Sequence, residues 1–394
     1  MAMTDTQLFT EQDLQDLTQW RRELHQYPEL SGEESATADR VVTLLQTCGP
    51  DRVLTRLGGH GVAAIFDGKT AGPTVLLRCE LDGLPIEELN PTLPHRSKTP
   101  GKGHLCGHDG HMAILAATAR WLSRNRPDRG RIILLFQPAE EDGSGAAKVI
   151  ADPRFARVAP DYAFALHNFP GIPMGAAVLA PGPLNCASRG LKITLTGRTA
   201  HASQPENGIS PAPAVARLLT ALPGLGRSSE TSDPDFALVT VTHARLGEPA
   251  FGIAPGQAEV WATLRTQKDA AMADLVRRAE SEIADVAQSA GLDHQLSYHD
   301  VFQHCENDPD ATRILDRALD TAGLARAEAE MPMRGSEDFG RFGAEAKSAM
   351  FLLGSGMETA SLHNPDFDFP DQLIPKGAAV FIAAVQELCG AEAR

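Results

Sequence analysis

The eight residues His104-Leu105-Cys106-Gly107-His108-Asp109-Gly110-His111 put a thiol, three imidazoles and a carboxylate on one short segment. Thiolate, imidazole and carboxylate are the donors taken by zinc and its neighbours in the first transition row. Cys106 and His108 stand two apart at a Gly-flanked turn. Both side chains can therefore face one point, just ahead of an apolar, alanine-rich helix predicted over 112–121. Taken alone, the segment also reads as a loop with stray histidines. Three further clusters weigh against that.

Phe136-Gln137-Pro138-Ala139-Glu140-Glu141-Asp142-Gly143 follows the apolar run 131–136, which reads as a buried strand bounded by Gly130 and Pro138. Open α/β sheets place their sites at that end of a strand. Successive side chains diverge, so one glutamate can bind a metal while the other faces a water. A solvated acidic turn is the bland alternative. Another short strand, predicted over 162–166, leads to His167 before Pro170-Gly171, and His363 sits at a turn in Leu362-His363-Asn364-Pro365. A lone histidine among apolar residues is more often packed in a core than bound to metal. Two of them, beside the Cys-His and Glu-Glu clusters, reverse those odds. A fifth pattern, 74–82, reads as a buried strand ending in Glu80 and Asp82, which period-two alternation puts on one side. Asp82 is the candidate carboxylate behind a metal-bound imidazole, fixing its tautomer and raising its basicity.

In this order the motifs resemble the M20 metallopeptidases. They are Glu80-Leu81-Asp82-Gly83-Leu84-Pro85, Cys106 to His111, Phe136 to Glu141, Leu166-His167, Gly335-Ser336-Glu337-Asp338-Phe339 and Leu362-His363-Asn364-Pro365. The likeness is to the amidohydrolase branch of hippurate hydrolases, auxin-conjugate hydrolases and N-acyl-amino-acid deacylases, over about 20–385. It implies that Cys106, His108, Glu141, His167 and His363 are metal ligands and Glu140 the general base toward a metal-activated water. Asp82 matches the acid supporting a ligand histidine. His201 matches a histidine that in relatives crosses a dimer interface and helps bind substrate and oxyanion. Five protein ligands exceed the three of one open zinc site, so two divalent ions (Zn, Mn, Co or Ni) are expected per subunit. The implied reaction is hydrolysis of the amide of N-acyl amino acids. A dipeptidase or N-carbamoyl-amino-acid hydrolase is the alternative, and a non-enzymatic scaffold would be expected to have lost a ligand or Glu140. Three departures spare that machinery: Glu80 where the branch has Asp, Gln204-Pro205-Glu206 after the motif of His201 where it has Met-Pro-His, and Gly252-Ile253-Ala254-Pro255 where it has Asn-x-Ile-Pro.

The elements that must position these residues fall into two kinds. Amphipathic helices are predicted over 11–26 and 33–47, and short apolar strands over 62–66, 75–81, 132–136 and 162–166. Strands alternating with helices argue for an α/β sheet. After Pro181-Gly182-Pro183 the pattern changes: strands over 191–196, 236–244, 257–264 and 295–298, with helices over 211–222 and 268–290. That β-α-β-β-α-β order reads as ferredoxin-like. The expectation is α/β: a mixed-sheet, zinc-peptidase-like catalytic domain at 1–185 and 300–394, with an inserted ferredoxin-like α+β lid or dimerisation domain at 186–299. An open sheet face or edge calls for a partner, and a second copy is the simplest.

Composition fits an enzyme of small molecules. The 394 residues carry a formal charge of −15 and no Lys/Arg-rich tract, which argues against nucleic acid. No apolar stretch approaches a membrane span. The N-terminus lacks a basic segment followed by an apolar one, so no signal peptide is expected. Six scattered cysteines without a CxxC pair suit a reducing cytoplasm. There is no G-x-S-x-G elbow and no H-E-x-x-H pair, and Gly101 to Gly107 fits neither the dinucleotide nor the P-loop fingerprint, so no organic cofactor is expected.

Overall fold

A computed structural model describes residues 5–390. The polar segment 1–4, part of the N-terminus expected to lack a signal peptide, lies outside the described residues. The chain divides into two compact units, one of residues up to 184, 306–330 and from 338 onward, the other of 185–305 and 331–337.

The larger unit is built on a seven-stranded mixed sheet. Its strand order is Arg52–Leu57, Gly61–Asp67, Arg129–Gln137, Thr70–Glu80, Tyr162–Pro170, Lys347–Gly356, Ala177–Val178. The four strands from Arg129–Gln137 to Lys347–Gly356 run parallel, and the flanking strands pair antiparallel. The parallel strands carry apolar runs because helices or loops cover both faces. Residues 132–136 and 75–77 are buried throughout. The helices Ser35–Cys48, His108–Arg124 and Leu373–Cys389 contribute to one continuous apolar core with these strands. All four parallel strands end on the same edge. The segments following Glu80, Gln137 and Gly356, and residue His167 itself, are the ones the sequence marks.

The helix Glu11–Gln26 starts with a reciprocal cap: the Thr10 hydroxyl accepts from the Asp13 amide, and the Asp13 carboxylate accepts from the Thr10 amide. It buries Leu17, Arg21, Leu24 and His25, a stripe at helical spacing with two basic residues in it.

The smaller unit has a four-stranded antiparallel sheet in the order Ala237–Leu246, Gln257–Thr266, Ala187–Thr196, Asp293–Phe302. The helices Ala212–Ala221 and Asp269–Ser289 share its apolar core, giving the β-α-β-β-α-β order. Along Gln257–Thr266 alternate residues from Ala258 to Thr266 are buried, as a half-covered sheet requires. Trp261 lies on the opposite face, partly exposed, with Lys192 beside its ring. A short ladder pairs Ala200–His201 with Ile253–Ala254. Among the described residues no helix is long and apolar enough to cross a membrane.

Candidate metal centre

The helix carrying the Cys-His segment begins at His108, not at 112. Gly107 allows this early start. It holds the position before the helix in left-handed backbone, at φ 93°, and a Cβ there would lie 2.2 Å from Asn168 Oδ1. Cys106 therefore sits just ahead of the helix and His108 is its first residue. Cys106 Sγ lies 3.4 Å from His167 Nε2. The strand bearing His167 continues to Pro170, and the His167 Nδ1 is held 2.7 Å from the Asn168 carbonyl, leaving Nε2 toward the thiol.

The Glu-Glu turn is pinned by backbone. Ala139 has φ 51°, and its amide donates to Glu34 Oε1 at 2.7 Å. The Gly143 amide donates to the Glu140 carbonyl, and the Gly145 amide to that of Ala139. A non-glycine residue in left-handed backbone is held there by its surroundings. Both carboxylates come near His108 Nε2, Glu141 Oε1 at 3.8 Å and Glu140 Oε2 at 3.9 Å. Glu141 also approaches a second imidazole: its Oε2 is 3.8 Å from His363 Nε2. His363 also has left-handed backbone, φ 65°, and its amide donates to the Leu105 carbonyl at 2.8 Å.

Two groups of three donors thus share Cys106: Cys106, His108 and His167, and Cys106, Glu141 and His363. Within each, the ligating atoms lie within 4.8 Å of one another. Ligands at about 2.0–2.3 Å in tetrahedral array stand roughly 3.3–3.7 Å apart, close to the 3.4 Å of Cys106 to His167 and the 3.8 Å of Glu141 to His108 and to His363. His108 Nε2 is buried without a hydrogen-bond partner. Such an orphaned nitrogen among carboxylates fits a cation.

The strand Thr70–Glu80 stops at Glu80, so Asp82 lies beyond the alternation that was expected to place it. It is nevertheless buried behind His108. The His108 Nδ1 is 2.9 Å from the Asp82 carbonyl oxygen and 3.5 Å from its carboxylate. That carboxylate accepts from Ser31 Oγ at 2.7 Å and from the Glu141 amide at 3.0 Å. Glu80, longer than the Asp of the resembled branch, contacts His111 Nδ1 at 2.6 Å and pairs with Arg78. His111 Nε2 is 2.6 Å from Asn168 Oδ1. Glu80, His108 and His111 also form a compact donor triad, but both His111 nitrogens are occupied by these neighbours.

Electrostatics separates the donors. Burial pushes the Cys106 thiol well up, and Glu141 and Glu140 push the same way. Burial disfavours the His108 imidazolium, yet the Asp82 hydrogen bond and the Glu80 and Glu141 carboxylates prevail and raise it to about 10. Burial, reinforced by His111, lowers His167 to about 3. Burial and then His108 lower His363. Two imidazoles are therefore neutral and ready to ligate, and the third site draws positive charge.

His201 lies in the smaller unit, exposed. Its Nδ1 accepts from the Ser203 amide at 3.2 Å and lies 2.7 Å from the Ser203 hydroxyl. A ring nitrogen that accepts leaves the proton on the other, so Nε2 is the outward donor. Two supporting residues escaped the sequence reading. Glu34, fully buried, holds the Glu140 turn, and Asn168 seats both Gly107 and His111. The run Glu29-Leu30-Ser31-Gly32-Glu33-Glu34 was the available signal for the first.

Known proteins resemble this chain over most of its length. The chain is 32% identical to N-acetyl-L-cysteine deacetylase of Bacillus subtilis, over 93% of this chain and 87% of that protein. It is 31% identical to thermostable carboxypeptidase 1 of Saccharolobus solfataricus, over 93% and 94%. The crystal structure of Bacillus subtilis YXEP, described as a dinuclear metal-binding peptidase from the M20 family, superposes with a TM-score of 0.79 at 25% identity, covering 97% of this chain and all of that one. The family described as Peptidase family M20/M25/M40 matches residues 76–387, a span that holds every donor named above, and the chain belongs to it.

Proposed function

We propose that this chain hydrolyses the amide bond of N-acyl amino acids, with Cys106, His108, Glu141, His167 and His363 holding two divalent metals and Glu140 as general base. The observation that carries the reading is the pair of donor triads sharing Cys106. Bound there, divalent metals supply Lewis acidity to the amide carbonyl and make a water acidic near neutrality.

The chain's own groups do the rest. Glu140 is buried, with one carboxylate oxygen 3.9 Å from His108 Nε2. It accepts a proton from the attacking water at that carboxylate. It returns the proton to the amine nitrogen as the C–N bond breaks, so amide and water become acid and amine. Asp82 acts through His108, whose Nδ1 it fixes by carbonyl and carboxylate. His201 donates from Nε2 to the developing oxyanion, reaching the site of a second copy of the chain in a homodimer formed through the ferredoxin-like unit. All six cysteines are unpaired and buried, which suits a reducing cytoplasm.

The likeness to a carboxypeptidase at 31% identity keeps peptide amides as the second reading. One screen separates them: N-acetyl, N-benzoyl and N-carbamoyl amino acids and unblocked dipeptides, assayed on one metal-loaded sample. N-acyl amino acids turning over fastest is the expected result, and preference for unblocked dipeptides would replace the proposal with the second reading. Absence of both metal uptake and hydrolysis would leave a scaffold.

A further inference from the structure

The described residues hold a second cluster of buried histidines and acids, outside both donor triads. Its centre is Arg21, fully buried on the helix Glu11–Gln26 at a position where the stripe of Leu17 and Leu24 calls for an apolar side chain. Its Nη1 donates to Asp109 Oδ2 at 3.1 Å and to Asp368 Oδ1 at 2.6 Å, and its Nε donates to Asp371 Oδ1 at 2.9 Å. His25, one turn later, sits 2.9 Å from the same Asp109 oxygen. His95 Nε2 lies 3.1 Å from Arg21 Nη2 and 3.2 Å from Asp368.

These acids come from two of the segments that carry the donors. Asp109 follows His108. Asp368 and Asp371 belong to the stretch that descends from His363. The two segments also meet elsewhere, the His111 ring standing edge-on to Phe369 at 6.2 Å between centroids. The His363 amide donates to the Leu105 carbonyl at 2.8 Å. Gly110 lets the Phe369 ring approach so closely that a Cβ would stand 2.3 Å from it. His363 itself stays half-exposed, with φ at 65°. A non-glycine residue keeps such a backbone only where its surroundings over-determine it.

Resting on the two-metal reading above, we infer that Arg21 is a positioning residue for metal binding: its guanidinium locks the Cys106–His108 segment to the His363 segment and sets the spacing of the two donor triads. The fork geometry is what the role requires. A guanidinium presents donors in several fixed directions and bridges separate carboxylates, where an ammonium acts as one point charge. Burying it is costly unless every direction is met, and here separate edges of the fork meet acids from both segments. A leucine at this position would complete the stripe and tie nothing to His363.

The test is cobalt(II) binding to the full-length wild type, Arg21→Lys, His363→Ala and the double variant, titrated against a competing chelator and followed by the visible absorption of thiolate- and imidazole-bound cobalt. Wild type takes two equivalents. Arg21→Lys keeps one equivalent tight and binds the other about 10–100-fold more weakly, the cost usual for residues that orient ligands, with an unchanged far-ultraviolet circular dichroism spectrum. His363→Ala weakens the same equivalent, and the double variant is no weaker than His363→Ala, because both act on one site. Asp368→Asn, which keeps Arg21 paired with Asp109 and Asp371, gives a smaller loss in the same equivalent and carries the test should Arg21→Lys not fold. Two tight equivalents with the wild-type spectrum in Arg21→Lys and Asp368→Asn, or losses that add in the double variant, overturn the positioning role and leave the metal reading standing. A wild-type chain that binds fewer than two equivalents overturns both.

Discussion

Around Arg21, opposite charges meet directly: Arg21 and His25 stand against Asp109, Asp368 and Asp371, at 2.6–3.1 Å, and Glu88 lies 3.4 Å from His25 Nε2. Burial disfavours the His25 imidazolium, but Asp109 prevails and raises it to about 9. Around Cys106, three residues before Asp109, the donors face one another instead. Burial and two glutamates push the Cys106 thiol up, burial pushes His167 down to about 3, and His108 Nε2 has no hydrogen-bond partner. Both clusters are made of histidines and acids at the same buried edge. A cluster whose cations and anions meet directly serves to hold segments together. One whose imidazoles, thiol and carboxylates converge on common points has the donor set of a metal site. Residue type alone does not distinguish them; the pairing does.

The comparison is tested most severely at Glu140. If the donor cluster separates holding from chemistry, Glu140→Gln loses on the order of 10²–10⁴-fold or more in turnover and keeps both metal equivalents, measured by elemental analysis of the same sample. Metal lost together with activity would make Glu140 a ligand and leave the base unassigned.

The next test asks whether the donor cluster, unlike the Arg21 cluster, is completed by a second chain. His201→Ala is expected to cost about 10²–10³-fold, the usual cost of one oxyanion donor. Mixing it with Glu140→Gln under subunit exchange then discriminates. If His201 acts across the dimer, each heterodimer has one doubly defective site and one intact site, and activity climbs toward half of wild type per dimer. If it acts on its own chain, both sites stay defective. Heterodimers that form and remain inactive would refute the role across the interface.

A smaller signal is expected at Cys106. Coordination occupies the sulfur lone pair, so the thiol resists alkylation in the metal-loaded protein and reacts after chelation. Equal labelling of Cys106 in both states, read by peptide mass spectrometry, would return it to a buried structural thiol and erase the contrast between the clusters.

The donor cluster was largely legible in the sequence, because its residues sit at the ends of apolar strands or at turns, and parallel strands bring their ends to one edge. Cys106, His108, Glu141, His167 and His363 come together there in two donor groups that share Cys106. Local geometry was less legible. The helix starts at His108 because Gly107 adopts left-handed backbone, and Asp82 lies past its strand yet still reaches His108. The Arg21 cluster was not legible at all. Its bonds to Asp368 and Asp371 span 347 and 350 residues, and no local pattern reports a partner at that distance. What the sequence did contain was an anomaly, two basic residues on the buried stripe of an amphipathic helix. Such residues bury only when paired.

The mildest test lies in the pH dependence of stability, and it addresses the paired cluster alone. His25 is nearly fully buried, with Asp109 and Glu88 favouring its proton and Arg21 opposing it, while His95 and His104 stand within ring contact. Its pKa is about 9 in the fold against 6.5 in an unfolded chain. Below the unfolded value both states carry the proton, and the ion pair's contribution is fully present. As pH rises from there the unfolded state gives up its proton first, and the contribution falls away until pH passes the folded value. Wild type should therefore lose stability between these two values relative to His25→Gln, on the order of 1–3 kcal/mol. Urea midpoints of both proteins across the window measure it, with metal in constant excess. Groups common to the two proteins, His108 included, cancel in the difference. Parallel midpoints would mean that His25 stays neutral in the fold, and Arg21 would then meet the cluster's acids without a second cation.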